Sequence, residues 1–236
     1  MAYFTTIENR FDSRVTSRCN LQVLRLVYDK LDAVHKEMLL NSAFGELYKF
    51  RDNMQISCKL LHALLFMRIK SPVDDEVWFR VGDANARFGF PYFTLITGLN
   101  PEIENDFVKD IPSDRRLAAE YFGGGKKVVR PSVLKTTFKH QAKNEEDRYK
   151  LGLTLIYECV LRCKEPTTSI DMKILQVVDN LDLVNKYPWG RSSYEYLLRF
   201  VSIVSDHEEM EKEYVVMFPA CSQDLDYPLD EERCPR

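Results

Sequence analysis

From residue 17 to residue 40, Leu21, Leu24, Val27, Leu31, Val34 and Met38 recur every three or four positions. That spacing predicts one helical face, and Gly45 downstream predicts a break. A second apolar helix is predicted from Ser57 to Ile69, stopped by Ser71-Pro72. The period then changes. Val77 to Val81 alternates and is rich in β-formers, Gly82 to Asn85 offers a turn, and Ala86 to Phe88 resumes an extended pattern, which together predict a short hairpin. Pro91 is placed to open the next helix and Gly98 to close it. A second hairpin is expected around Gly123 to Gly125, with Lys126 to Arg130 as its strand and Pro131-Ser132 starting a helix toward Ala142. Further helices are predicted over Glu145 to Leu161, from about Ser169 (a candidate cap) to Asp171 onward, and from Ser192 to Val204. The expected fold class is mainly α with one or two small β-hairpins, a helical bundle-like single domain over residues 1–204. It lacks the βαβ alternation of a nucleotide-binding sheet.

At 236 residues and 45% hydrophobic, the chain can bury a substantial core. No apolar run approaches the roughly 18 residues of a membrane span, and the amino terminus lacks the layout of a secretory signal. These features predict an intracellular protein with no membrane partner. The six cysteines, at 19, 58, 159, 163, 221 and 234, lack the spacing of a disulfide framework or a zinc site, so buried thiols and no metal are expected. Charge is distributed unevenly. Residues 205–236 hold ten acidic and three basic residues, so with a whole-chain charge of −3 the remaining residues carry +4. This acidic tail is the one composition shift that suggests a boundary.

Catalytic signatures are lacking. Gly123-Gly124-Gly125-Lys126-Lys127 has contiguous glycines and no hydroxyl residue after the lysines, unlike a phosphate-binding loop. His35, His62, His140 and His207 do not sit in a recognisable nucleophile setting, and His62 reads as a core residue. Glu145-Glu146-Asp147 reads as a helix start, where acids complement the dipole. No enzyme and no cofactor are expected.

The basic residues are more informative. Lys135, Lys139 and Lys143 recur every fourth position, along one helix face, while Leu134 and Phe138 can point inward. Lys126, Lys127 and Arg130 precede them, and residues 109–150 hold eleven basic and six acidic residues. Arg10, Arg14 and Arg18 form a second cluster, with Arg25 beyond it. A surface of this kind neutralises phosphates and releases counterions, which makes double-stranded DNA a candidate partner.

Several blocks, in order, resemble a plant domain of unknown function: FGELYKF, LLHALLFMRI, VWFRVGDANARFGFPYFTLITGL, EYFGGGKKV, LGLTLIYECVL and IDMKILQVVDNLDLVNKYPWGRSSYEYLL. The resemblance covers about residues 40–204. That domain is found in transposon-derived proteins, often ahead of a SUMO-protease-like cysteine protease domain whose catalytic residues do not carry over. Protease-free members resemble anti-silencing factors that recognise short motifs in the element's noncoding DNA and reduce its methylation. The resemblance therefore implies a nuclear, non-enzymatic DNA-binding domain. Within it, Pro188, Trp189, Gly190 and Arg191 read as either a binding site or a corner. A fixed φ, a large apolar surface and a permissive glycine favour the corner, with Ser192 or Ser193 capping the helix beyond. The competing expectation is a protein-interaction module that recruits a chromatin or SUMO-pathway partner, which the acidic tail supports. An unrecognised hydrolase is a third.

Overall fold

The computed structural model describes residues 16–17, 19–49, 52, 57–101, 111, 115–125, 128–164, 167–203 and 215–216. Helical spacing in the first forty residues yields two helices rather than one, α1 (Gln22–Lys30) and α2 (Ala33–Leu40). The chain breaks between them because Leu31 is extended and the Asp32 carboxylate accepts the His35 N–H at 2.8 Å, the bond of a helix N-cap. Val34 consequently faces outward, 64% exposed, although the apolar period had placed it with Leu24 and Val27. Helix α3 (Gly45–Lys49) follows a turn, and Ser57 caps α4 (Cys58–Phe66) by accepting the Leu60 N–H.

Thr16–Ser17 forms strand β1. Residues Arg68–Ile69 (β2), Glu76–Val81 (β3) and Ala84–Gly89 (β4) form a three-stranded antiparallel sheet in sequential order. Its hairpin turns through Gly82 at φ +59°, with Val81 opposite Ala84. Helix α5 (Phe90–Thr97) starts with proline in its first turn and ends at Gly98, whose φ of +66° is a left-handed C-terminal cap.

The expected second hairpin is absent among the described residues. Helix α6 (Arg116–Phe122) runs into a single 3₁₀ turn at Gly123–Gly125, and residues 128–130 form no strand. Among the described residues no second strand lies alongside; the Val129 carbonyl accepts the Ile170 N–H at 2.8 Å, a loop contact. Helices α7 (Pro131–His140) and α8 (Glu145–Ile156) follow. Asn144 caps α8 by accepting the Asp147 N–H, and three acids occupy the first turn. Helix α9 (Met172–Asp179) is capped by Asp171 rather than Ser169, α10 (Leu181–Lys186) by Asn180, and α11 (Trp189–Ile203) begins three residues before the expected Ser192. Strand β5 (Val215–Val216) pairs with β1 in parallel.

Helix α8 is the axis of the core. Tyr149 and every residue from Leu151 to Ile156 are buried, because α1, α2, α7 and α9 pack around it. Gly152 sets the closest approach: a Cβ there would lie 2.9 Å from Val27 and 3.3 Å from Phe138, so α1 and α7 could not both seat against a larger residue.

The Tyr187-Pro188-Trp189-Gly190-Arg191 block is a corner between α10 and α11. Trp189 is fully buried; its indole N–H donates to the Val184 carbonyl at 2.7 Å, and its ring packs against Phe44, Tyr157 and Tyr187. Gly190 does not bend the chain. It lies in the first turn of α11, where its N–H donates to the Asn100 carbonyl at 2.9 Å and a Cβ would come within 2.8 Å of that oxygen. The glycine is thus required for contact with the α5 exit rather than for flexibility. Arg191 covers the Phe90 ring at 3.7 Å, a cation–π contact that ties α11 to α5. Ser192 and Ser193 lie inside the helix, so neither caps it; the Ser192 hydroxyl is 2.6 Å from that of Tyr157.

Candidate functional site

Helix α7 presents the basic row. Arg130 precedes it in extended backbone, exposed and without a side-chain capping bond, and Pro131 supplies the preset φ of a first helical residue. Pro131, Leu134, Thr137 and Phe138 are buried against the core, which leaves Lys135 and Lys139, one turn apart, half-buried at the edge of the same helix. Among the described residues, no carboxylate pairs with Arg130, Lys135 or Lys139.

Lys135 also lines a cleft of about 610 Å³ with Asn20, Val23, Pro131, Ser132, Cys159 and Lys164. Lys164 is not a spare cation. Its ammonium lies 3.0 Å from Glu158 Oε2 and donates to the Ser169 carbonyl at 2.8 Å. Glu158 is fully buried; burial pushes its carboxyl up, while Lys164 and the Asp171 N–H at 2.9 Å work in the opposite sense. Among the described residues, Lys135 therefore brings an unpaired charge to this opening.

The row does not continue to Lys143. Its ammonium sits 2.9 Å from Glu120 Oε1, at the edge of an acid-rich network. Arg116 forks between Asp147 (2.6 Å) and Asp179 (2.5 Å) and also meets Glu120 at 3.1 Å. Lys150 joins Asp179 at 3.1 Å and Glu146 at 2.6 Å. The Asp147 and Asp179 hydrogen bonds hold the Arg116 guanidinium far above its ordinary value. Burial works to raise the Asp147 carboxyl, but Arg116 and Tyr121 outweigh it and hold that group below the usual carboxylate range. Burial pushes the Tyr121 phenol up to about 12, so it stays protonated as a donor to Asp147 at 2.7 Å. Four carboxylates thus face three cations where a single electropositive face was expected to extend. Lys143 belongs to this network, and the unpaired part of the row is Arg130, Lys135 and Lys139.

Lys126 and Lys127 lie outside the described residues, as do Arg10, Arg14 and Arg18. Arg25 is paired with Asp52 at 2.5 Å. Sequence reasoning missed the Glu120 pairing. The signal was faint, since Glu120 lies 23 positions from Lys143 and on another helix.

Among the described residues, no group of three or more His, Cys, Asp or Glu side chains is arranged to hold a metal, and no helix is long and apolar enough to cross a membrane. A separate apolar cleft of about 300 Å³ lies between α4, the sheet and α11, lined by Leu61, Leu65, Val77, Phe79, Phe88 and Leu197 among others.

No curated protein and no solved structure matches the chain. The family model of the domain of unknown function DUF1985 matches residues 65–200, which hold the sheet, α5 to α10 and nearly all of α11. That match spans more than half of the sequence, and the chain belongs to the DUF1985 family.

Proposed function

We propose that this protein is a non-enzymatic DNA-binding domain, with Arg130, Lys135 and Lys139 as phosphate contacts. The observation that carries the reading is that these three cations, on and just before one helix, lack carboxylate partners among the described residues, whereas Lys143, Lys150, Lys164 and Arg116 are all committed to the protein's own acids. An uncommitted cation row can release counterions from a duplex; a neutralised one cannot. Lys126, Lys127, Arg10, Arg14 and Arg18 would extend the contact.

The quoted sequence blocks support a finer reading by resemblance. The protein would act in the nucleus as a transposon-encoded anti-silencing factor, recognising short motifs in noncoding transposon DNA and favouring loss of DNA methylation. The chain carries no methyltransferase or demethylase signature, so that loss would come through recruited chromatin proteins. The apolar cleft beside the sheet favours a second reading, a protein-interaction module for a chromatin or SUMO-pathway partner.

Selection from random duplex DNA, followed by binding titrations at several salt concentrations, tests the proposal. Enrichment of a short motif is expected, with affinity falling steeply as salt rises. Lys135→Glu with Lys139→Glu should cost at least about tenfold and flatten the salt slope by about two. No binding at low salt, or binding indifferent to salt and to both substitutions, would overturn it. Capture of a stable protein partner through the apolar cleft would then favour the second reading.

A further inference from the structure

The carboxyl end of the core helix gathers three thiols. Beyond Ile156 the helix widens into a π turn over Tyr157–Leu161, so that the Arg162 N–H reaches the Tyr157 carbonyl at 2.9 Å and the Lys164 N–H reaches that of Glu158 at 2.9 Å. The helix ends there, leaving the Cys159 and Val160 carbonyls to find donors elsewhere. Residues from the other end of the chain supply them. The Asn20 N–H donates to the Cys159 carbonyl at 3.0 Å, and the Cys19 thiol donates to that of Val160 at 3.5 Å. The Cys163 thiol donates to the same Val160 oxygen at 2.9 Å. Two thiols from positions 144 residues apart thus converge on one acceptor.

The backbone holds Cys163 in an unusual way. Its φ of +43° makes it the one non-glycine residue with positive φ among the described residues. It occupies the left-handed position just past a helix end, where glycine is the usual residue. A cysteine here accepts strain and presents its sulfur to the Val160 carbonyl that Cys19 also reaches. Cys163 is fully buried and Cys159 nearly so, whereas Cys19 is half-buried, beside the cleft that Asn20 and Cys159 help to line.

We propose that Cys19 and Cys163 are a modification site, closing to a reversible disulfide on exposure to a peroxide. The Cys19 sulfur, as thiolate, attacks one peroxide oxygen; the O–O bond breaks, Cys19 becomes a sulfenic acid, and the departing oxygen takes the thiol proton to leave as water. The Cys163 sulfur then attacks the Cys19 sulfur. The S–O bond breaks as the S–S bond forms, and the hydroxide leaves with the Cys163 proton as a second water. Two thiols lose two electrons and hydrogen peroxide is reduced to two waters. Cys19 reacts first because it is the more accessible. Burial pushes the Cys163 thiol well above its ordinary value, which suits it to resolve rather than to initiate. The bridge would staple the amino-terminal segment to the end of the core helix. This inference is independent of the DNA-binding proposal.

The test treats the full chain, purified under reductant, with hydrogen peroxide, alkylates it, and maps it by mass spectrometry without reduction. A crosslinked Cys19–Cys163 peptide that dithiothreitol removes is expected. The oxidised protein should melt on the order of 5–10 °C higher than the reduced form. Cys159→Ser should keep both effects; Cys19→Ser and Cys163→Gly should lose both. Cys163→Gly also relieves the left-handed strain, so it should fold at least as well as wild type when reduced. The proposal is overturned if all thiols remain alkylatable, if Cys19 over-oxidises without bridging, or if either sulfur pairs with Cys159, Cys58, Cys221 or Cys234.

Discussion

The Lys143 ammonium lies 2.9 Å from the Glu120 carboxylate, so the fourth-residue spacing begun by Lys135 and Lys139 on α7 ends, three residues beyond that helix, in an ion pair. Lys143 is 64% exposed, and exposed pairs contribute little to stability; the effect of the pair is on the local field. Glu120→Gln also removes an acceptor of Arg116, so it should lower the melting temperature modestly, by no more than a few degrees. On the DNA-binding reading it should strengthen duplex binding by roughly two- to fivefold at low ionic strength, with the gain shrinking as salt rises. Lys143→Ala in the wild-type background should change affinity much less than Lys135→Ala. Equal losses in a salt-dependent titration would show that the pair does not hold Lys143 back.

The Arg116 fork predicts acid sensitivity. The folded Asp147 carboxyl lies below the usual range, so its contribution to stability is fully present above the unfolded value near pH 4 and drains away as pH falls through the lowered folded value. Denaturant titrations should show wild-type stability dropping below about pH 4. Asp147→Asn should cost about 2–4 kcal/mol at pH 7, because Arg116 and Tyr121 lose the partner that their geometry was built around, and it should flatten the acid limb. An unchanged acid limb in that variant would remove Asp147 as the cause.

The corner at Trp189 offers graded tests of its structural role. Trp189→Ala should cost about 3–5 kcal/mol in urea unfolding, the usual penalty for emptying a buried aromatic site. Trp189→Phe keeps much of the ring but leaves the buried Val184 carbonyl without its donor, for about 1–3 kcal/mol. Gly190→Ala should cost about 1–3 kcal/mol by forcing Asn100 away, although the backbone conformation itself tolerates alanine. A tolerated Gly190→Ala would mean that the α5 exit can yield.

Much of the fold was legible because its signals are local. A proline in the first turn of α5 and Gly98 at its end lie within one short helix, and the hairpin through Gly82 and its strands span 14 residues. An apolar period carried the first helix through Leu31, but Asp32 capped a new one. The stretch from Lys126 to Arg130 looked like a strand, but β propensity means little without a partner strand, and among the described residues Val129 meets the Ile170 N–H in a loop contact.

The sequence by itself determined the helical class, the hairpin at Gly82, the ends of α5 and the burial of Leu134 and Phe138, since these follow from spacing within a few residues. Only the tertiary structure decided which lysines are already paired, that Gly190 serves contact with Asn100 rather than a bend, and that Cys19 meets Cys163. Ion pairs, close approaches and thiol contacts depend on distance through space, and here they join residues 23, 90 and 144 positions apart.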